Sequence, residues 1–233
     1  MLSRIIYLAL LAGVVTGLLI TPIQMLAVQP LIQEAERYEQ QNEAASVSSH
    51  PLMSSHDTAN TRVSDNEPSD NRIERALYTT LAVVFMAVGY ALLLGACFSK
   101  IGAMNWRKGL IWGAAGFLVF QFAPSLGLPP EPPGVPAADV TLRQLWWLVT
   151  TVATASGLWL LFQSWKSTKK WLVFPAIVLL ALPHMVGAPH PPAEASLVPE
   201  QLAANFIIAT MLTAALFWLL LGSLLGHLFK RYS

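Results

Sequence analysis

Histidines and carboxylates at the ends of apolar runs are the residues here with the clearest chemistry. The stretch LPHMVGAPHPP sets His184 and His190 among four prolines and a glycine. PLIQEAERYE carries Glu34 and Glu36, GLPPEPPG carries Glu131, and Glu194 follows the histidine stretch. Imidazole with carboxylate suits divalent first-row metals such as Co, Ni, Zn or Mn, whose relative affinities do not single one out. Proline-rich flanks leave each ligand little conformational freedom to lose on binding. The plainer alternatives are a structural hydrogen bond from His184 to a loop carbonyl, and simple solvent exposure of His190. A looser set, His50, Met53 and His56 in HPLMSSH, reads first as a solvated loop and only second as metal capture. His227 stands alone near the chain end, where a structural or interfacial role is the default.

The elements that must position these groups are membrane spans. Of 233 residues, 55% are hydrophobic and 12% charged, about half the charge of a soluble domain. Five segments, 5–28, 76–98, 109–128, 144–165 and 201–228, contain no Asp, Glu, Lys or Arg. Each meets the length of about 20 residues needed to cross a bilayer. A sixth segment, 171–188, is shorter and broken by Pro175 and Pro183. Loop charges favour counting it. With both termini cytoplasmic, the inside holds Arg4, Lys100, Arg107, Lys108, Lys166, Lys169, Lys170, Lys230 and Arg231. The outside then holds Arg37, Arg62, Arg72, Arg75 and Arg143, together with all 13 acidic residues. That distribution obeys the positive-inside rule, and a five-span chain would put Lys230 and Arg231 on the wrong side. The expected fold is therefore an all-α integral membrane protein, a single transmembrane domain over 1–233 with six transmembrane helices. Its outer loop, 31–75, begins helical and becomes disordered where Ser, Asn and Asp dominate. The first span is too long for a removed signal peptide and reads as an anchor.

Spans three to six read as a tandem pair. GLPPEPPG after the third resembles GAPHPP after the fifth, and TASGLWLLF resembles TAALFWLLL near the ends of the fourth and sixth. With the first two spans, this suggests three parallel hairpin pseudo-repeats, an arrangement that in transporters places the site at the repeat interface. The alternative is that apolar helices ending in Gly and Pro look alike by default. Three pairs at small-residue spacing, Gly13 with Gly17, Gly109 with Gly113 and Gly222 with Gly226, mark close helix packing, although glycine is common enough in membrane helices that at least one pair is expected to be incidental.

No nucleotide-binding GxxxxGK[ST] loop is present, so the chain is not its own ATPase. No ionisable Asp, Glu, Lys or Arg lies deep in a span, which removes the usual proton-relay carboxylate. Neutral polar side chains remain, and Gln24, Gln121 and Asn205 are the candidates for lining a pathway; each alone reads more simply as bonded within its own helix. The tryptophans at span ends, including Trp106, Trp146, Trp147, Trp165 and Trp171, read as interface anchors. The lone Cys97 cannot form an internal disulfide.

Several long motifs then align with one family. PLIQEAERYE, WGAAGFLVFQFAPSLGLPPEPPG, RQLWWLVTTVATASGLWLL, LPHMVGAPHPP and VPEQLAANFIIATMLTAALFWLLLG together resemble the CbtA family of probable cobalt transporter subunits. The resemblance covers nearly the whole chain outside the Ser-rich loop. It implies a bacterial inner-membrane protein that takes up cobalt, often in association with cobalamin synthesis. It also implies a small single-span partner of CbtB type with a histidine-rich end. Family patterns fall on Glu34, Glu36 and Tyr38, on Gln121, Pro124 and Glu131, on Gln144 and Trp147, and on His184 and His190.

The resulting expectation is a metal-ion permease subunit, with His184, His190, Glu34, Glu36 and Glu131 as metal ligands at the outer mouth. Cobalt is its substrate, with no resident cofactor. The bilayer and the small subunit are its partners, and no nucleic acid is expected. The main alternative is a non-transporting metal sensor or assembly partner. Catalysis is disfavoured because no nucleophile or general base neighbours the histidines in sequence.

Overall fold

A computed structural model describes residues 2–48, 69–101, 103–167, 169–191 and 196–232. Among these residues every regular element is helical. The chain runs through α1 (Leu2–Ala27), α2 (Gln29–Ser48), α3 (Ser69–Ile101) and α4 (Trp106–Phe117), then a π-helical turn (Leu118–Phe122) and α5 (Ala123–Ser125). It continues through α6 (Val140–Lys166), a 3-10 turn (Lys170–Leu172), α7 (Val173–Val186) and α8 (Glu200–Arg231).

Among the described residues, four helices are long and apolar enough to cross a membrane: Leu2–Ala27, Ile73–Ile101, Val140–Lys166 and Glu200–Arg231. The other two expected spans are the α4–π–α5 rod, broken in hydrogen-bond register, and the shorter apolar helix Lys170–Val186. Local chemistry sets the helix ends. Asn105 caps α4 by accepting from the Lys108 amide at 2.9 Å, and Asp139 caps α6 by accepting from the Leu142 amide at 3.1 Å. Gly187, at φ 90°, ends α7 in a conformation that disfavours residues with a Cβ.

Apolar side chains gain nothing by leaving lipid for a helix interface, so association rests on close van der Waals fit. The glycines supply it. Gly13 and Gly17 of α1 lie against the backbone of Val88 and Val84 on α3. Gly109 and Gly113 of α4 meet Gly222, Gly226 and the Trp218 carbonyl on α8. All three glycine pairs are therefore contact surfaces, and the expectation that at least one was incidental is corrected. On the α4–α8 seam the fit is reciprocal, glycine against glycine, whereas the α1 groove receives Val84 and Val88 of α3.

The pairing follows these fits. Consecutive hairpins would put α4 against α6 and α7 against α8. Instead α4 packs mainly on α8 and α6 on α7, while α1 packs on both α3 and α8. The neighbours are antiparallel: Gly109 faces Gly222 and Gly226, Gly113 faces Trp218, and Gly157 of α6 faces Leu180 and Ala176 of α7. The principal core, including Leu8, Ala12, Ala87, Phe98, Trp218, Leu221 and Leu225, lies where α1, α3, α4 and α8 meet. The helical segments thus alternate in direction between two ends. Arg4 donates to the Phe229 carbonyl at 3.4 Å, which places the two chain ends together. The described basic residues from Arg4 to Arg231 that the sequence assigned to one side gather at that end. The described acids lie at the other.

Candidate functional site

At the acidic end three outer segments converge. Ala35 of α2, Val198 and Leu202 form a small buried cluster, with Leu31, Tyr38 and Val135 packed on it. The Leu197 amide donates to the Gly134 carbonyl at 3.2 Å. The helical start expected for the outer loop is present as α2, separated from α1 by Val28 alone. His50, Met53, His56 and Glu194 lie outside the described residues.

Within this cap the expected metal ligands have different surroundings. Glu34 is exposed. Glu36 lies 4.0 Å from the Arg75 guanidinium. Glu131 pairs with Arg143 at 3.3 Å, and its side chain is only 17% exposed; Oε2 is shielded from water and makes no formed hydrogen bond. His184 sits in the last turn of α7 with its ring edge-on to Trp146, centroids 5.8 Å apart. His190 is exposed in the following loop. Among the described residues no three His, Cys, Asp or Glu side chains are grouped closely enough to hold a metal ion.

Below the cap the helices leave space. A vestibule of about 650 Å³ lies between the π turn, α5 and the start of α6, walled by Gln121, Pro124, Pro129, Pro130, Arg143, Gln144 and Trp147. Phe120, Gln121 and Thr210 also line a second cavity of about 180 Å³ among α1, α3 and α8, where Gln24, Thr213 and Tyr90 join them. Gln121 is therefore common to both spaces. Asn205 lies apart from that cavity, in an open groove of about 370 Å³ between α1 and α8 that shares Thr213 with it. Of the three expected pathway residues, the structure brings Gln24 and Gln121 together and leaves Asn205 on an adjoining face.

The π turn explains the position of Gln121. Pro124 has no N–H to give the carbonyl four residues before it, Phe120, and the helix widens there. Such π turns recur at functional positions within helices. The Phe120 carbonyl released in this way is taken by α6, and two neighbouring carbonyls gain a further side-chain donor, that of Pro124 beside the Gly127 and Leu128 amides. Trp147 Nε1 donates to the Phe120 carbonyl at 3.2 Å, Trp146 Nε1 to the Pro124 carbonyl at 3.3 Å, and the Ser125 hydroxyl to the Gln121 carbonyl at 2.7 Å. Both tryptophans thus have a backbone partner, Trp146 from a buried position and Trp147 from an exposed one. The signal was in the sequence, as a paired Trp after a proline-broken helix, but hydropathy alone does not show which carbonyl they reach. Thr210 is a further lining residue, with a buried hydroxyl that has no hydrogen-bond partner.

In comparison with known protein families, residues 2–230 match the family model described as CbtA, probable cobalt transporter subunit. No curated protein matches the chain, and no solved structure does.

Proposed function

The chain belongs to the CbtA family of probable cobalt transporter subunits, and from that premise we propose that it admits Co2+ from the acidic face and passes it inward through the space around Gln121. The observation that supports this reading is that the two cavities adjoin, sharing Phe120, Gln121 and Thr210 in their walls. Their lining offers neutral amide and hydroxyl oxygens. Weak ligands of this kind, met in succession, let an ion enter without trapping it, which conduction requires.

In this reading six helical segments cross the bacterial inner membrane, both termini are cytoplasmic, and the acidic cap faces outward. The segregation of Lys and Arg to the end that holds both termini supports that orientation. Glu131, His184, His190, Glu34 and Glu36 are the proposed capture groups. No three of the described acid and imidazole groups are preassembled, so they act as successive weak contacts with a hydrated ion, not as one rigid chelate. A small single-span subunit with a histidine-rich end would complete the ligand set. A divalent ion moving inward through 100 mV gains about 4.6 kcal/mol, at about 2.3 per charge. This is an inward bias of about three decades, so uptake needs no ATPase within this chain.

A non-transporting sensor would have the same outer groups but tight packing beneath them, and the cavity holding Gln24 and Gln121 weighs against it. The test is entry of radiolabelled cobalt into vesicles containing the full chain with its small subunit, under an inside-negative potential. Entry that depends on that potential and falls when His184 and His190 are both replaced by Ala supports the proposal. Cobalt binding with no entry contradicts it.

A further inference from the structure

The geometry points to Arg143 as a tethered cation that occupies Glu131 and must be displaced by the incoming divalent ion; this rests on the transport reading above. Glu131 is the least exposed of the candidate carboxylates whose pairing is seen, at 17% against 38% for Glu36. Its shielded Oε2 lies 3.3 Å from the guanidinium yet forms no hydrogen bond with it. That oxygen is thus charge-paired without being hydrogen-bonded. Arg143 itself is 36% exposed, stands on the first turn of α6 and walls the vestibule that leads to Gln121. An ion reaching Gln121 by this route passes Arg143, and Glu131 is held behind it.

Guanidinium stays charged at every physiological pH, so the site is never an open anion. A monovalent ion offers Glu131 no more charge than Arg143 already supplies. A divalent ion offers twice as much, and Coulomb attraction scales with that charge. Displacement therefore favours divalent ions, and while Arg143 is in place its own charge opposes cation entry. Arg143 acts on discrimination by holding the carboxylate, not by touching the metal.

The experiment measures Co2+ binding to the purified full chain in lipid nanodiscs, with vesicle uptake of the wild type measured alongside. Arg143→Gln is expected to bind Co2+ at least about tenfold more tightly than wild type, a change of ~1.4 kcal/mol. Arg143→Lys keeps the charge but loses the planar fork, and is expected to fall between them. Glu131→Gln combined with Arg143→Gln is expected to bind no more tightly than Glu131→Gln alone. Equal or weaker binding by folded Arg143→Gln overturns the inference, and so does unchanged or weaker binding by Arg143→Lys if the glutamine variant does not fold. If wild type takes up Co2+ but neither variant binds more tightly, the latch alone falls. If wild type and variants neither bind nor move Co2+, the transport reading falls with it.

Discussion

Replacing Gly226 with Ala forces apart α4 and α8 at their glycine seam. A Cβ at that position would stand 2.6 Å from the Asn105 carbonyl oxygen and 2.9 Å from the Gly109 Cα. Ordinary contact begins at 3.4 Å, and both opposing atoms belong to backbone, so no side chain can turn aside. Relief requires α4 and α8 to separate by about 0.8 Å, a gap that forfeits roughly a quarter to a half of the dispersion energy of the facing atoms. Overpacking of this kind costs about 1–3 kcal/mol, and lipid gives no hydrophobic compensation. Gly89 of α3 is the matched control, because a Cβ there meets nothing within 4 Å. Gly89→Ala gains up to about 1 kcal/mol from helix propensity. Two substitutions of identical chemistry should therefore shift stability in opposite directions. Reversible unfolding of each variant in the same detergent, followed by circular dichroism, measures the difference. If Gly226→Ala is as stable as Gly89→Ala, the α4–α8 seam is not the one described.

Three further outcomes are expected. Trp147→Phe strands the Phe120 carbonyl, whose helical donor position is Pro124, and should lower stability by about 1–3 kcal/mol; the same unfolding assay reads it. Gln24→Leu removes a polar wall of the inner cavity and should cut Co2+ uptake by about tenfold or more, ~1.4 kcal/mol, while Co2+ binding at the outer face stays at the wild-type value; uptake and equilibrium binding on one preparation separate the two. Epitope tags at the two termini should be reached by antibody from the same side of the membrane, and a tag near residue 60 from the opposite side; permeabilisation-dependent staining decides it.

Much of this arrangement is legible in the sequence. Uncharged runs and the one-sided placement of Lys and Arg give the helices and the two chemically different ends. The glycine spacings give the contact faces, and did so more completely than expected. Pairing was not legible, because the similar endings of α6 and α8 suggest a repeat, whereas contact depends on which grooves fit: Gly109 and Gly113 find Gly222 and Gly226, which links the third helical segment to the last. The π turn was also hidden, since Pro124 announces a disturbed helix but not its form. In the sequence Arg143 is only a loop charge. Its pairing with Glu131 depends on how the proline-rich loop folds back on α6, and no periodicity encodes that. Gln24 and Gln121 are far apart in the chain and meet only because α1 and the π turn border the same gap.

In the proposed transport path Gln121 lies on a water-filled route from the acidic face. Cys97 is the only cysteine, so Gln121→Cys in a Cys97→Ser background gives a single reporter. A charged, membrane-impermeant thiol reagent is expected to modify this cysteine from the acidic side, Co2+ to slow the reaction, and modification to stop cobalt uptake. A cysteine at 121 that stays unreactive from the acidic side, in protein that still takes up cobalt, would contradict that route.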